Sequence, residues 1–362
     1  LLLLLAGDIH FNSGPAGDLC DITHCHINVH SLTTDKLTCR KTDIVPDFDI
    51  ITLSETFLSN NTPDDDFNLP GYHNIIRKDR PNIVGGGVAV LASEAFAISR
   101  RIDLELPDIE LLWTEIRVHN NKFLLGVVYR PPNSLVSFWD KLQDSFDLAT
   151  SCNIHNIILT GDLNSDFNTA SGAKLQQFCN TNFLNLHIHE PTRITATTST
   201  CLDQIISNIP NFIKEPRVLS PISNCDHSVV ATNVLFRRKK EPSFTRQIWE
   251  YERADFDKFR DFLDRTNWDV CFETGNVELC SKTWTKLFLD AANHTIPNKE
   301  ITVRPSDLPW YNSRLRCEKR KVFRAYKRAK DKKHDPQAWN AYNNLRNQYQ
   351  DHLKCAEEAH NR

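Results

Sequence analysis

The sequence predicts an α+β protein, a two-sheet sandwich flanked by helices, and two observations carry that expectation. From about Asp21 to Phe236, short β-branched runs alternate with turn clusters. Only two helical patterns interrupt them, Leu135–Thr150 and Ala173–Asn182. That is too few for a strictly alternating parallel fold. The strand candidates, in order, are Ile22–Asn28, Ile50–Glu55, Gly87–Ala92, Leu111–Val118, Phe123–Tyr129, Asn156–Asp162, Cys201–Ser207 and Ser228–Phe236. Arg237-Arg238-Lys239-Lys240-Glu241-Pro242 then reads as a basic linker, followed by helical stretches at Asp255–Arg265 and Val277–His294. After the break at Pro305–Pro309, Leu315, Lys319, Val322, Tyr326 and Ala329 recur at steps of four and three, the seam of a basic helix. Asp335-Pro336 supplies an N-cap and a first-turn proline for a second helix with seam Trp339, Tyr342, Leu345, Tyr349, Leu353 and Ala356. The expected divisions are a leucine-rich leader (1–19), the sandwich (20–236), a linker with helices (237–303) and a basic helical hairpin (304–362).

Composition narrows the function. With 40% hydrophobic and 25% charged residues, the chain is neither disordered nor fibrous. Its longest wholly apolar run, Leu1 to Ala6, is far short of a membrane span, so no membrane partner is expected. The eleven cysteines include no C-x-x-C pair. Neither a zinc ribbon nor a disulfide framework is indicated, and reduced, buried thiols in an intracellular protein are expected. The net charge of −3 hides an asymmetry: residues 304–362 carry 15 Lys and Arg against 7 Asp and Glu, and residues 1–303 carry 28 against 39. An acidic body suggests carboxylates gathered for metal work, and a basic tail suggests contact with phosphate. The chain begins at Leu1 and contains no Met, which predicts a fragment whose start lies upstream.

Several polar residues end predicted strands, where a buried sheet delivers side chains to one rim. Asn28 ends Ile27-Asn28, Glu55 ends Ile50–Glu55, and Tyr129 precedes Arg130-Pro131-Pro132. Asp162 and Asn164 sit in Gly161-Asp162-Leu163-Asn164; Asp203 opens Asp203-Gln204-Ile205-Ile206; Asp226-His227 precedes Ser228-Val229-Val230. Singly each has a structural explanation: turn formation for Asp and Asn, a helix cap for Glu55, a core aromatic for Tyr129, a structural imidazole for His227. Other patterns read as structural too. Gly85-Gly86-Gly87 precedes a strand and not a helix, so a tight turn is expected there in place of a phosphate loop. His24-Cys25-His26 lacks zinc spacing, and Asp64-Asp65-Asp66 reads as a solvated loop.

The ordered series SETFL, VVYRPP, GDLNSD, LDQIIS and CDHSVV resembles the endonuclease/exonuclease/phosphatase superfamily over roughly residues 20–236. The words YRPP and NVHSL and the basic run PWYNSRLRCEKRKVFRAYKRAK are similar to the endonuclease of non-LTR retrotransposon polyproteins, in which a reverse transcriptase usually follows; none precedes Arg362. The resemblance implies a four-layered α/β sandwich of two mixed sheets, and a Mg²⁺-dependent DNA endonuclease (Mn²⁺ as an alternative) leaving a 3′-hydroxyl that primes reverse transcription. It assigns the metal to Glu55 with Asn28 beside it and Asp226 as a further metal-side carboxylate. Asp162 would activate water with help from Asn164, His227 would contact phosphate oriented by Asp203, and Tyr129 would donate to phosphate oxygen. His30 stands where relatives often carry an acid or amide. The implied partners are DNA and, through the basic tail, element RNA, with a nuclear site of action. The leader resembles ribosome-skipping peptides at Asp8, Asn12, Gly14 and Pro15 but departs from them at His10 and Ser13. The Thr-rich loop Pro191–Ser199, lying between catalytic segments, is the candidate for target specificity. The competing expectations are a phosphatase or phosphodiesterase acting on a small phosphoester or RNA, and a non-catalytic nucleic-acid-binding module.

Overall fold

The computed structural model describes residues 9–11, 19–32, 47–81, 85–119, 121–195, 197–223, 225–239, 244–273, 275–303, 308, 310–332 and 335–361. The chain divides into two compact units, residues 1–18 with 241–305 and residues 19–240 with 306–362. In chain order the strands begin with β1 (Ile9–Phe11), β2 (Leu19–Asn28), β3 (Ile50–Ser54), β4 (Ile76–Lys78), β5 (Val88–Ala92) and β6 (Ala97–Arg100). Then come β7 (Glu110–Val118), β8 (Asn121–Tyr129), β9 (Ile157–Asp162), β10 (Asn185–Leu186), β11 (Arg193–Ile194) and β12 (Ser199–Thr200). The last are β13 (Asp203–Ser207), β14 (Ile213–Leu219), β15 (Val229–Lys239), β16 (Phe244–Trp249) and β17 (Asn298–Val303). The helices are α1 (Ser137–Thr150), α2 (Ala173–Thr181), α3 (Phe256–Arg265), α4 (Val277–Thr295), α5 (Ser313–Asp331) and α6 (Pro336–Asn361).

Two six-stranded sheets make the larger unit, ordered β14-β15-β2-β3-β5-β4 and β10-β13-β9-β8-β7-β6. Each is mixed, with one parallel pair (β2 with β3, β8 with β9) among antiparallel neighbours. Side chains alternate across a strand, so parity assigns each residue to a layer. Ile22, Ile50, Val88 and Val90 of the first sheet meet Leu112, Phe123, Leu125, Ile158 and Ile205 of the second in the inner core. The odd-numbered residues of β2 and β3 face outward. Cys25, Ile27, Ile51 and Leu53 are buried there together with Leu315 of α5 and Tyr349 and Leu353 of α6. The outer face of the second sheet buries Leu111, Trp113 and Val128 against Phe138, Leu142 and Phe146 of α1 and Leu175 and Phe178 of α2.

The result is the expected sandwich of two mixed sheets flanked by helices. The 304–362 segment, expected as a lead-in apart from the sandwich, belongs to the same compact unit and supplies its helical layer over the first sheet. Its seam explains this: Leu315, Tyr326, Ala329, Tyr342, Tyr349 and Leu353 are all buried. The second helix starts at the expected cap, Asp335 Oδ1 accepting from Gln337 N at 3.0 Å, and the first is capped by Asn312, whose Oδ1 accepts from Leu315 N at 3.1 Å. The expected basic linker starts too early, since β15 runs on through Arg237 and Arg238 to Lys239.

The segment expected as a linker with helices forms, with β1, a compact unit of its own. There β16 pairs with both β1 and β17, the latter from Phe244↔Val303 to Trp249↔Asn298. Trp249, Ala292 and Ile296 form its core, with Phe259 and Phe288 packed against them. Asp255 and Asn276 cap α3 and α4 through their side chains. Local pattern hides β16 and β17 because pairing across some fifty residues, and not the charged NKEITV segment itself, makes them strands. The leader residues 1–8 and 12–18, with the skipping-like motif, lie outside the described residues. Among the described residues no helix is long and apolar enough to cross a membrane.

Candidate active site

Parity puts the candidate residues on the inner faces at one end of the sandwich. In the second sheet Tyr129 is paired with Asp162, and Asp162 with Asp203, giving a row across β8, β9 and β13. In the first sheet Asn28 is paired with Ser54, Glu55 follows at once, and His227 precedes β15, which pairs with β2. The two rows meet: Asn28 Nδ2 donates to Glu55 Oε1 and to Asp162 Oδ2, both at 2.8 Å.

Backbone geometry fixes this end. Asp162 follows Gly161, whose φ is +152° and where a Cβ would lie 1.8 Å from the Val128 carbonyl oxygen. Only glycine allows β9 to run so close to β8. Glu55 and Asn164 hold left-handed φ values of +52° and +44°, uncommon away from glycine and concentrated at functional sites. Glu55 is kept there by its neighbours: Ser31 N donates to its carbonyl at 2.8 Å, and Phe57 N donates to Gly86 O at 2.8 Å. The Gly85-Gly86-Gly87 segment, with φ of +111°, +65° and +86°, is the expected tight turn before β5. Asn164 N donates to Asp162 Oδ1 at 2.9 Å, and Asn164 Nδ2 donates to Arg130 O at 2.9 Å, so Asn164 orients the carboxylate from the loop side.

Asp203 and His227 form a second, deeper group. His227 Nδ1 lies 2.8 Å from Asp203 Oδ2, with the carboxylate fully buried. Thr192 Oγ1 donates to the same oxygen at 2.5 Å and accepts from Asp203 N at 3.1 Å, fixing it. A β-bridge between Arg193 and His227 ties the β11–β12 hairpin to the histidine. Burial alone would lower the His227 pKa, but the Asp203 carboxylate, with Asp162 and Asp226 adding to it, raises it to about 10. Asp203 is correspondingly low: burial opposes its charge, and the imidazolium more than compensates. Burial pushes Asp162 up to about 7, with the neighbouring Asp203 charge adding to the effect. Burial, with Glu55 and Asp162 nearby, holds the Tyr129 phenol well above its ordinary value, so it stays a neutral donor.

Among the described residues no hydrogen bond joins Asp226 to Glu55 or Asn28. The Asp226 carboxylate pairs with Arg193 at 2.8 Å, and its side chain is 47% exposed. Burial works against its charge, but His227 and Arg193 hold its pKa low. His30 Nδ1 lies 3.0 Å from Glu55 Oε2. His24 and His26, neighbours in sequence to Cys25, each place a ring nitrogen 3.1 Å from Thr52 Oγ1. Burial lowers their pKa values to about 3 and about 4, so both are neutral core residues. Thr192 enters the sequence reading only within the Pro191–Ser199 specificity loop and Gly161 only as the residue before Asp162, and that they position Asp203 and Asp162 is missed there. Glycine immediately before the strand-ending Asp162 was the available signal for Gly161, and Thr192 had none, because its partner is eleven residues away.

A divalent cation fits this end of the sandwich. Glu55 and Asp162, joined through Asn28, offer carboxylate oxygens to it. The ligand atoms of Asp162, Asp203 and His227 also lie within 4.8 Å of one another, but the ring of His227, held charged by Asp203, has no lone pair for a metal. Asp203 Oδ1 is buried without a hydrogen-bond partner among the described residues. The oxygen-rich donors suit a hard cation.

Carboxylates, a charged imidazole and a neutral phenol facing one another between two mixed sheets define a phosphoester hydrolase. The particular family follows from the sequence: the model of the endonuclease/exonuclease/phosphatase family matches residues 25–209, and the chain belongs to that family. Among solved structures it is similar to the endonuclease domain of TRAS1, a telomere-specific non-LTR retrotransposon, at 13% identity and a TM-score of 0.49, covering 59% of this chain and 98% of that one. It is also similar to the catalytic domain of Xenopus laevis APE2, at 16% identity and a TM-score of 0.48, over 61% of this chain and 93% of that one. A mannosyl-6-phosphatase of Bacteroides thetaiotaomicron is similar at 19% identity and a TM-score of 0.43, over 59% of this chain and all of that one. A search of curated proteins gives no match.

Proposed function

We propose that the chain is a metal-dependent DNA endonuclease that nicks one strand and leaves a 3′-hydroxyl, the priming step of a non-LTR retroelement acting on nuclear DNA. The observation that carries this reading is the junction of the two rows, where Asn28 links Glu55 to Asp162 within reach of the Asp203–His227 pair. The basic hairpin in the same compact unit supports a nucleic-acid substrate, because a small phosphoester needs no phosphate-tracking surface. Element RNA is a second partner for that basic surface.

In this reading Glu55, with Asn28 beside it, holds Mg²⁺ or Mn²⁺, which supplies positive charge for the phosphate oxygens. Asp162, raised toward neutrality by burial, takes the proton of the attacking water. Asn28 and Asn164 leave that carboxylate one orientation by holding both of its oxygens. His227, kept charged by Asp203, contacts a phosphate oxygen, and Tyr129 donates a hydrogen bond where negative charge accumulates. Asp226, tied to Arg193, shapes the field around His227 from outside the metal group.

The test is nicking of supercoiled plasmid by the full chain with Mg²⁺, with EDTA, and as the His227→Ala variant. Relaxed circles that require Mg²⁺ and vanish with the variant are expected. Phosphate release from a small monoester by a chain that leaves plasmid intact would overturn the reading in favour of a phosphatase.

A further inference from the structure

A cavity of about 460 Å³ in the sandwich unit reaches beyond the family match, which ends at residue 209. One wall carries Asp226 and Ser228, the residues on either side of His227, with Ile194 and Thr195 of the β11–β12 hairpin. The opposite wall comes from α5 and α6: Tyr326, Trp339, Tyr342, Asn343 and Arg346. The aromatic rings form one cluster, Trp339 standing nearly perpendicular to both Tyr326 and Tyr342 at centroid distances of 6.4 and 6.0 Å. Ser228 Oγ and Tyr326 OH are hydrogen-bonded at 2.9 Å, joining the hairpin to the residue after His227. The Arg346 guanidinium lies 5.5 Å from the Tyr342 ring centroid.

We propose that this cavity seats one unstacked base of a nucleic-acid strand lying across the site, next to the phosphate at His227. The proposal rests on the endonuclease reading for the identity of the strand. Three features select this occupant. The volume falls in the range of small-ligand pockets, about 300–1,000 Å³. Trp339, the partly buried ring of the cluster, offers every base a stacking partner backed by the buried Tyr326 and Tyr342, and the Asn343 amide offers both a donor and an acceptor to a base edge. The one carboxylate in the lining, Asp226, is already neutralised by Arg193, so an electron-rich base edge meets no uncompensated negative charge. Placement beside His227 then makes the base a neighbour of the phosphate being cut, and the hairpin becomes a source of preference among target sites.

The test is binding to the full chain in EDTA, which stops cleavage. The probes are a short single-stranded oligonucleotide and an abasic backbone of the same length and charge. The chain is expected to favour the base-bearing strand by about tenfold, the scale of one stacked base. Trp339→Ala and Asn343→Ala should each remove most of that preference and leave affinity for the abasic backbone unchanged, while Trp339→Phe retains it. Equal affinity for the two probes would overturn the proposal, as would a preference that survives in both folded alanine variants. A chain that keeps the base preference but fails to hydrolyse bis(p-nitrophenyl) phosphate with Mg²⁺ supports the pocket and counts against the endonuclease reading alone.

Discussion

The two halves of the site are built on opposite plans. The Glu55 side is held by backbone: a left-handed glutamate clamped by a glycine turn, its side chain 14% exposed and in contact with the solvent-facing His30. The Asp203 side is held by side chains: a fully buried carboxylate shared by Thr192 and His227, with a histidine only 7% exposed. The difference separates their work. A partly open carboxylate can exchange a cation and its waters without disturbing the core. A buried ion pair keeps its charge fixed in place and is expensive to break, because removal of one partner strands the other away from water. Asp162 sits where the two plans meet, bonded to Asn28 on one side and electrostatically coupled to Asp203 and His227 on the other.

The largest expected effect is therefore at the junction. Asp162→Ala removes the proposed proton acceptor and the Asn28 link together, and plasmid nicking should fall by about 10³-fold or more at saturating Mg²⁺. Residual nicking within a few-fold of the unaltered chain would take Asp162 out of the chemistry. Next comes Asp203→Asn, which keeps the shape but not the charge, and nicking should fall by about 10²-fold. His227 then loses the largest of the charges that oppose its burial, Asp162 and Asp226 remaining, so its pKa should drop from about 10, measurable by NMR titration of the ring. An unchanged titration would mean that the pair does not set the histidine's charge.

The sequence made one of the two plans more legible than the other. Asn28, Glu55, Tyr129, Asp162 and Asp203 sit at or just beyond strand ends, and strand ends can be read locally from β-branched runs followed by polar residues. That the first sheet's residues would face the second's could not be read from parity, because both faces of β2 and β3 are buried and the left-handed Glu55 departs from the strand's alternation. Thr192 could not be read, because its role comes from β13 passing beside its loop. Nor could the helical layer over the first sheet: the α5 and α6 seam is visible as an amphipathic pattern, but only burial with Ile27 and Leu53 shows what it covers. Asp226 marks the opposite failure. The family resemblance put it on the metal side, whereas in the structure its carboxylate is paired with Arg193.

A smaller effect sharpens the contrast between the halves. Glu55→Gln should weaken metal affinity by about 10–100-fold, and raised Mg²⁺ should restore nicking. The same Mg²⁺ should not rescue Asp203→Asn, because the loss there is of fixed charge, not of a cation ligand. Rescue of both, or of neither, would erase the division between an exchangeable side and a fixed one.

The smallest effect lies in stability and needs no substrate. The raised pKa of His227 means that the folded chain holds a proton the unfolded chain releases near pH 6.5. The ion pair's contribution from this group is complete below about pH 6.5 and is lost as pH climbs through about 10. Asp203, shifted the other way, loses its contribution only when acid protonates it. Thermal melting in EDTA should therefore show the unaltered chain most stable relative to Asp203→Asn on the acid side of neutrality, with the gap narrowing steadily toward pH 10. The Glu55→Gln variant is the control, because it removes the open contact with His30 and leaves the Asp203–His227 pair in place, so the gap that belongs to the buried pair should be absent from it. Parallel pH dependence in the two variants would mean that the buried pair is no more fixed than the open one.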